Sequence, residues 1–388
     1  MNSYKKTYLL SAYALRPGSG SEPGVGWEWL CALVESNRYE LICLAESEWR
    51  SEIEKIACQN NFNVEFHFLS IGSYARRLCW NQGSWGFYFF YRLWQIRAYI
   101  YFKFKFKRKF DVVHHLTLTG YREPGLLWML KPEKFVLGPI GGLNKIPKEF
   151  LIRNDLKMRI KNKINFLSLY DPYVRTALRR ADVLLASNSH SQKVLSNLGF
   201  NSILENETGV GSFRRSFTHR SLDVIWVGKR AERKRFDIFH KVVSDSKFQN
   251  LRIQVFGFDD LSLISGPIER VAKVSREEVL AAMIDAKVLL FPSIDEGTPW
   301  SMMEAIASGC AVLAHKTAGM ADILPDEWLV ELVDEEYSKL RFSELLENVL
   351  KDYEDGKWGG TLELCKSIVK DNQWSVKVER VLDRIENV

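Results

Sequence analysis

The sequence predicts an α/β protein built from two doubly wound parallel sheets. Short apolar runs recur along its 388 residues and are separated by longer stretches with helical periodicity. The runs are apolar throughout and do not alternate with polar residues, which is typical of strands buried on both faces of a parallel sheet. The helical stretches between them suit right-handed crossovers.

The apolar runs fall into two sets, each long enough to form a sheet. They lie at 7–15, 39–45, 64–70, 111–119, 135–142, 181–187 and 202–206 in the first set, and at 222–228, 252–257, 286–293, 311–316 and 329–333 in the second. A polar, glycine-containing stretch without periodicity separates them and is interpreted as a linker. We therefore predict a first domain at 1–208, a linker at 209–219, a second domain at 220–368 and a final helix at 369–388.

Composition excludes several classes of protein. At 46% hydrophobic and 26% charged residues the chain is globular and not disordered. Its net charge of +6 suggests an anionic partner, either phosphate groups or a membrane surface. No Cys-x-x-Cys pair occurs, and the cysteines in apolar stretches indicate a reducing cytoplasm. No apolar run is long enough to span a membrane.

The loop "RPGSGSEPGVGWEW", residues 16–29, lies between an apolar run and a helical pattern. This order is the one that a dinucleotide-binding fingerprint requires. The spacing does not fit, because Pro23 stands where the third glycine belongs. A nicotinamide-dependent oxidoreductase is therefore disfavoured.

The most informative segment is "FPSIDEGTPWSMMEAIASGCAVLAHKTAGM", residues 291–320. Thr298 is predicted as an N-cap, Pro299 as the first helical residue and Gly309 as the residue that closes the helix. The amide groups at the start of such a helix suit an anionic ligand. Glu296 and Glu304 bracket the turn, eight residues apart. Each carboxylate alone could equally be a solvated surface charge.

This segment resembles the retaining, nucleotide-sugar-dependent glycosyltransferases of family 4, also called glycosyl transferases group 1, which have the GT-B fold. The resemblance covers nearly the whole chain and implies two Rossmann-like domains that face one another across a cleft, with the last helix crossing back to the first domain. It implies that Glu296 holds hydroxyls of the donor sugar and Glu304 the nucleotide ribose. The remaining donor-pocket residues that it implies are Gly297, Thr298, Pro299, Trp300, Ser301, Thr317 and Gly319.

A basic turn, "VIWVGKRAERKRFDIF", supports the same resemblance. The family usually has Gly-Arg and then Lys-Gly, and the matching pairs here are Gly228-Lys229 and Lys234-Arg235. Lysine lacks the bidentate fork of arginine, so Arg230 is an alternative phosphate ligand. Cations at this turn would stabilise the departing diphosphate, which makes Lys229 and Lys234, with Glu296, the candidate catalytic residues. The alternative is a solvated basic turn.

The glycine loop itself, "GSGSEPGVGWEW", resembles the turn after the first strand in a branch of this family, which implies that Gly24 and Gly26 approach donor phosphate and acceptor. "DVVHHLTLTGYREPGLLW" and "FVLGPIGGLNKIP" resemble the same branch. Strand alternation sends His114 and His115 to opposite faces, so at most one is expected to meet substrate. Gly141 lies in a segment that stands where many members carry a His-Thr pair.

The resemblance implies transfer of a hexose from a UDP- or GDP-linked sugar to a hydroxyl of a saccharide or lipid-linked acceptor, with retention, in synthesis of a cell-surface polysaccharide such as lipopolysaccharide. No metal or further cofactor is expected, since the chain has no Asp-x-Asp triplet and Asp259-Asp260 is interpreted as a solvated turn. Two alternatives stay open: a non-catalytic sugar-nucleotide-binding protein and a sugar-nucleotide epimerase.

A basic aromatic stretch at 85–110 holds thirteen aromatic and seven basic residues and no acid. It suits peripheral contact with the inner face of a membrane. The alternative is a buried helix with a basic rim, because aromatic stripes also serve core packing. Nucleic-acid binding is disfavoured, since no recognisable nucleic-acid module accompanies the stretch. The expected location is the cytoplasm, with or without this membrane contact.

Overall fold

The computed structural model describes residues 5–79, 87–106, 109–118, 120–144, 150, 167–214, 219–229, 231–257, 268–271 and 274–388. The chain divides into two compact units. Unit 1 comprises Met1–Leu143, Lys157–Glu207 and Trp374–Val388, and unit 2 comprises Asn144–Leu156 and Thr208–Gln373. The segment 208–219 thus belongs to unit 2, and the last helix belongs to unit 1.

Unit 1 contains a seven-stranded parallel sheet with the order β3-β2-β1-β4-β5-β6-β7. Its strands are β1 (Thr7–Ser11), β2 (Glu40–Ala45), β3 (Val64–Phe68), β4 (Val112–His115), β5 (Lys134–Ile140), β6 (Val183–Ala186) and β7 (Ile203–Leu204). Its helices are α1 (Ser21–Ser36), α2 (Arg50–Gln59), α3 (Ser73–Cys79), α4 (Phe87–Lys105), α5 (Pro172–Arg180), α6 (Ser189–Asn197) and the last helix of the chain, α13 (Trp374–Asn387).

Unit 2 contains a six-stranded parallel sheet with the order β10-β9-β8-β11-β12-β13. Its strands are β8 (Leu222–Val227), β9 (Ile253–Phe256), β10 (Ile268–Val271), β11 (Ala286–Phe291), β12 (Ala311–His315) and β13 (Leu329–Val330). Its helices are α7 (Phe236–Val243), α8 (Arg276–Asp285), α9 (Trp300–Ala307), α10 (Ala318–Ala321), α11 (Glu335–Glu354) and α12 (Trp358–Asp371).

The prediction of two doubly wound parallel sheets is confirmed. Every predicted apolar run contains one observed strand, and the central strands of both sheets are buried on both faces. The prediction missed β10, an edge strand whose sequence Ile-Glu-Arg-Val has charges between its apolar ends. A strand with two charged residues among four gives no continuous apolar signal.

The strand order identifies one candidate ligand-binding edge in each sheet. In both sheets the order reverses next to the first strand, between β1 and β4 in unit 1 and between β8 and β11 in unit 2. The helices that follow two such strands lie on opposite faces, which leaves a crevice beyond the carboxyl ends of the strands. Ligands of open α/β sheets bind at this position, so the segments after these four strands are the first places to look for a site.

Charged side chains attach α13 to the rest of unit 1. Lys377 is fully buried, and its ammonium group lies 2.6 Å from Glu205 Oε1 and donates to the backbone oxygen of Asn206 at 2.7 Å. Arg380 also reaches Glu205, at 3.1 Å. At the other side, Arg38 at the end of α1 lies 2.7 Å from both Glu379 and Asp383. The final helix is therefore an integral part of this unit.

We expect Lys377→Met to lower the free energy of unfolding by about 3 kcal/mol, because it leaves the buried Glu205 carboxylate without its closest counter-charge. Urea titration followed by tryptophan fluorescence measures the loss. Lys370→Met, an exposed lysine on α12, is the matched control and is expected to change stability by less than about 0.5 kcal/mol. Equal midpoints for the two variants would contradict a structural role for Lys377.

Candidate active site

The candidate site of unit 2 lies where three neighbouring strands end. Gly228 and Lys229 follow β8, residues 292–297 follow β11, and residues 316–319 follow β12. Strand β11 pairs with β8 on one side and with β12 on the other, all in parallel. Their carboxyl ends therefore bring these three segments to the same edge of the sheet.

Glu296 is the centre of a charged cluster at this edge. Its Oε1 atom lies 2.6 Å from the Lys234 ammonium and accepts hydrogen bonds from the Arg233 guanidinium and, at 2.9 Å, from the Ser293 hydroxyl. Within the part of the chain that the structure describes, Oε2 accepts no hydrogen bond. One carboxylate oxygen thus holds the cations in place while the other is available to a ligand.

Lys234 is mostly buried beside this carboxylate. Its ammonium group lies 4.4 Å from the centroid of the Phe291 ring, so it contacts the aromatic face as well as the anion. Burial lowers the pKa of Lys234, and the charge of Glu296 opposes that shift. Because this ammonium group is already largely desolvated, it can pair with an anionic ligand at little further cost in desolvation free energy.

The basic turn is fastened directly to the segment after β11. The backbone N–H of Ile294 and the hydroxyl of Ser293 both donate to the carbonyl oxygen of Arg233, at 2.9 and 3.0 Å. The next residue, Arg235, has a φ of 46°, in the left-handed region that favours glycine. Contacts of its guanidinium with Asp237 and Glu335, at 2.6 and 2.5 Å, hold Arg235 in this conformation.

Helix α9 begins one residue later than predicted. Pro299 has an extended conformation and is the N-cap residue, so Thr298 precedes the cap instead of forming it. The amides of Met302 and Met303 both donate to the Pro299 carbonyl, whereas the amide of Ser301, nearer the start of the helix, has no acceptor within the helix. Gly309, with a φ of 73°, follows the C-cap residue as predicted.

Glu304, on the second turn of α9, is also buried and paired. Its Oε1 atom accepts hydrogen bonds from Arg276 Nε at 2.8 Å and Nη2 at 2.5 Å. The guanidinium of Arg276 lies 5.3 Å from the centroid of the Trp300 ring, and Arg214 interacts electrostatically with the same carboxylate. Among the described residues, Glu304 Oε2 accepts no hydrogen bond, as at Glu296.

A glycine pair joins the segments after β11 and β12. A Cβ atom on Gly319 would lie 2.2 Å from the carbonyl oxygen of Gly297, closer than real Cβ contacts allow. The neighbouring Thr317 is buried, and its hydroxyl finds no hydrogen-bond partner among the described residues. The structure therefore brings Gly297, Thr317 and Gly319 together with the start of α9.

The remaining predicted donor-side residues are Gly228, Lys229 and Arg230. Gly228 and the exposed Lys229 follow β8, which pairs with the strand that precedes Glu296. Arg230 lies outside the described residues, as does the Asp259-Asp260 turn. Among the residues that the structure describes, no group of three or more His, Cys, Asp or Glu side chains is arranged to hold a metal ion.

In unit 1, two of the four glycines of the opening loop lie in a helix. The sequence predicted a turn through Gly24 and Gly26, but α1 begins at Ser21 and includes both. A Cβ atom on Gly26 would lie 2.5 Å from the carbonyl oxygen of Ala14, so this glycine lets α1 pack against the segment after β1. The carboxylate of Glu22, in the first turn, accepts a hydrogen bond from the backbone of Leu118 at 2.5 Å.

The two adjacent histidines at the end of β4 point to opposite faces of the sheet, and both are buried. His114 Nδ1 is hydrogen-bonded to the Tyr8 hydroxyl at 2.7 Å, and its Nε2 donates to the carbonyl oxygen of Gly138 at 2.8 Å. His115 lies on the side of α4, 3.4 Å from the Tyr91 hydroxyl. Burial lowers the pKa of His114 to about 4 and that of His115 to about 3.

Gly141 lies just after β5, where it forms an isolated parallel bridge with Gly120. A Cβ atom there would meet the Ser187 hydroxyl at 3.4 Å and Glu207 Oε2 at 3.7 Å, both ordinary contacts. Gly141 thus lies beside polar groups of unit 1, at the carboxyl end of the sheet.

Sequence reasoning missed four residues of the donor-side cluster: Arg233, Ser293, Arg276 and Arg214. Arg233 lies in the same basic run as Lys234, and only the fold shows that the Lys234 side chain is mostly buried whereas that of Arg233 is exposed. Arg276 begins α8 directly after Ser275, which forms a capping box with Glu278. That Ser-x-x-Glu spacing is readable in the sequence, but it predicts a helix start and gives no link to Glu304.

Part of the chain is similar to a known protein family. Residues 221–352 match the family model described as glycosyl transferases group 1. That range contains Glu296, Glu304, Lys234 and Arg276. Unit 2 contains a glycosyl transferases group 1 domain. No curated protein matches the chain by sequence.

Solved structures match over the whole length of the chain. A sucrose-phosphate synthase from Thermosynechococcus elongatus is similar over 99% of both chains, with a TM-score of 0.67 and 11% identity. A UDP-forming trehalose-phosphate synthase from Burkholderia xenovorans is similar over 99% of both, with a TM-score of 0.65 and 13% identity. A trehalose-6-phosphate structure from E. coli, bound with UDP-2-fluoro glucose, has a TM-score of 0.67, 10% identity and 99% coverage of both chains. At these identities the likeness shows the fold, which is GT-B as predicted.

We expect Gly319→Ala to lower the free energy of unfolding by about 2 kcal/mol, because the added methyl group overlaps the Gly297 carbonyl oxygen. Chemical denaturation measures the change. Gly360→Ala on α12, where an added Cβ meets nothing within 4 Å, is the control and is expected to be neutral or slightly stabilising. A neutral Gly319→Ala would show that the two segments are not in contact.

We expect stability to fall with pH below about 6.5, because the unfolded chain binds protons at histidine while the buried His115 stays neutral down to about pH 3. His115→Gln does not titrate and should remove up to about 1.4 kcal/mol per pH unit from this slope between pH 6 and 4. Urea unfolding at several pH values provides the measurement. His219→Gln, at an exposed position, should leave the slope unchanged, and an equal effect of both variants would contradict the argument.

Proposed function

We propose that this protein is a retaining glycosyltransferase whose unit 2 binds a nucleoside diphosphate sugar and transfers its hexose to a hydroxyl. The observation that carries the proposal is Glu296, held by Lys234 and Arg233 at the switch point of a glycosyl transferases group 1 domain. One of the structural neighbours is bound with UDP-2-fluoro glucose, which supports a nucleotide sugar as the ligand class.

The cations and the helix start form the proposed diphosphate site. Lys234, Arg233 and the exposed Lys229 supply positive charge, and the Ser301 amide at the start of α9 supplies an N–H donor. The nucleoside diphosphate gains negative charge as it departs, so groups already arranged around that position stabilise the transition state more than the ground state. No metal is required, since these groups do the work that a bound cation would do.

The two carboxylates have separate roles in this proposal. Glu296 uses Oε1 to orient the cations, and its Oε2 accepts hydrogen bonds from hydroxyls of the donor hexose. Glu304 is oriented by Arg276 in the same way, and its Oε2 accepts from the ribose hydroxyls. Trp300 and Thr317 are proposed to line the donor pocket, beside the Gly297–Gly319 contact.

The proposed step breaks the bond between the anomeric carbon and the diphosphate oxygen and forms a bond from the same carbon to the acceptor oxygen. Both events occur on one face of the sugar, so configuration is retained. The leaving phosphate oxygen takes the proton of the acceptor hydroxyl, so no strong protein base is needed. The buried, neutral His114 and His115 are not required for this step.

The acceptor is proposed to be a saccharide or a lipid-linked saccharide bound by unit 1, within cell-surface polysaccharide or lipopolysaccharide synthesis in the cytoplasm. The segments after β1 and β4 and around Gly141 form the corresponding edge of that unit. The donor base is proposed to be uracil or guanine.

The test compares the wild type with Glu296→Gln and Lys234→Met in release of nucleoside diphosphate from UDP-, GDP- and ADP-linked hexoses. We expect each variant to lower turnover by at least about 100-fold, because each removes preorganised charge from the leaving group's site. Thermal stabilisation by UDP, GDP and ADP, measured on the same proteins, reports binding separately from turnover.

Lys241→Met is the control, since Lys241 is an exposed lysine of the same unit that pairs with Glu335. Its turnover should match that of the wild type. Turnover near wild type in both site variants would overturn the assignment. Nucleotide stabilisation without any turnover by the wild type would favour a non-catalytic binding protein, and an epimerised sugar among the products would favour an epimerase.

A further inference from the structure

Helix α4 has two apolar faces, and only one of them is buried. The buried face includes Phe87, Tyr91, Trp94, Ala98 and Phe102, which pack into the core of unit 1. A second set of large apolar side chains recurs at intervals of three or four residues and is 39% to 69% exposed: Phe89, Leu93, Ile96, Ile100 and Phe104. We call this set the outer stripe.

The outer stripe lies opposite the buried face. At about 100° per residue its five members fall within about 80° of one another around the helix axis. A helix that packs on a core normally presents polar residues to water on that side. Burying side chains of this size is worth about 1.5–3 kcal/mol each, so leaving a contiguous row of them exposed marks a surface that binds something.

The charged residues of α4 itself are all positive, and one of them, Arg92, pairs with Glu123 outside the helix at 2.6 Å. Helix α4 carries Arg92, Arg97, Lys103 and Lys105 and no acidic residue. Arg97 flanks the stripe on one side, and Lys103 flanks it on the other. The ammonium groups of Lys103 and Lys105 lie 5.3 and 5.5 Å from the ring centroids of Tyr99 and Tyr101. Apolar side chains with basic and aromatic neighbours suit the boundary between lipid headgroups and acyl chains.

We propose that the outer stripe of α4 docks unit 1 onto the surface of an anionic lipid bilayer, with the helix axis parallel to the membrane plane. Helix α3 packs against α4 and presents Tyr74, which is 74% exposed, as a further aromatic side chain for the headgroup layer. Among the described helices none is long and apolar enough to cross a membrane. The contact is therefore peripheral.

Charge argues against a second copy of this chain as the occupant. Pairing two outer stripes would bring together two helices that each carry Arg97, Lys103 and Lys105 without an acidic partner among the described residues. Like charges held close in this way are unfavourable, whereas an anionic bilayer is complementary to them. The proposal does not depend on the proposed glycosyltransferase activity, because it concerns a face of unit 1 and is measured without any sugar donor.

The experiment is co-sedimentation of the full chain with large unilamellar vesicles of phosphatidylcholine alone or with 30% phosphatidylglycerol. We expect binding to the anionic vesicles that weakens as salt is raised and is much weaker on phosphatidylcholine alone. The triple variant Leu93→Ser, Ile96→Ser, Ile100→Ser should lower the partition coefficient at least about tenfold, because three apolar side chains can then no longer insert into the bilayer. Lys103→Gln with Lys105→Gln should lower it about 25-fold, at about fivefold per charge.

The control is Leu340→Ser, which removes an apolar side chain of comparable exposure from α11 of unit 2 and should bind like the wild type. Thermal unfolding verifies that all variants are folded, as expected for substitutions at exposed positions. Absence of binding to anionic vesicles, or equal binding by the triple variant, would overturn the proposal. A dimer in sedimentation velocity that the triple variant dissociates would also overturn it and assign the stripe to self-association. Donor turnover without vesicles should be unchanged in the triple variant, so failure here is separable from failure of the proposed function.

Discussion

The contact between Glu296 and the basic turn is the interaction on which the donor side depends. It joins the segment after β11 to the turn after β8, and the carbonyl oxygen of Arg233 ties the same two segments through the backbone. Without the carboxylate, the mostly buried Lys234 ammonium would lie close to the exposed Arg233 guanidinium with no counter-charge between them, which is electrostatically unfavourable. The carboxylate therefore shapes an anion site by keeping its positive charges together and oriented before any ligand arrives.

The position of this cluster follows from topology. In a doubly wound sheet the reversal of strand order separates the helices on the two faces and exposes the strand ends between them. Unit 2 uses that opening for Glu296 and Lys234, and unit 1 has an equivalent opening beyond β1 and β4. In unit 1 the two histidines at the end of β4 are buried on opposite faces of the sheet. The polar groups at that edge therefore come from the segments that follow the strands.

How much of this could be predicted from sequence depends on the range of each signal. Continuous apolar runs and the capping residues of a helix are local signals, and they predicted the sheets, the order of elements along the chain and the start of α9 to within one residue. The pairing of Glu304 with Arg276 spans 28 residues, and no local pattern encodes it. Gly26 was assigned to a turn because glycine usually marks one, whereas the fold needs it where α1 crosses the backbone at Ala14. The basic aromatic stretch could be recognised in the sequence, but only the structure shows which face of its helix is buried and which is exposed.

The position of α13 in unit 1 has a consequence for how the chain is made. Residues 374–387 leave the ribosome after the whole of unit 2, so the strands of the first sheet emerge long before the helix that supplies Lys377 to Glu205. Until then Glu205 lacks its closest counter-charge, and the surface of α1 that α13 will cover stays open to solvent. The first unit to begin synthesis is thus the last to be completed, and the nascent protein must keep that surface from associating while translation continues.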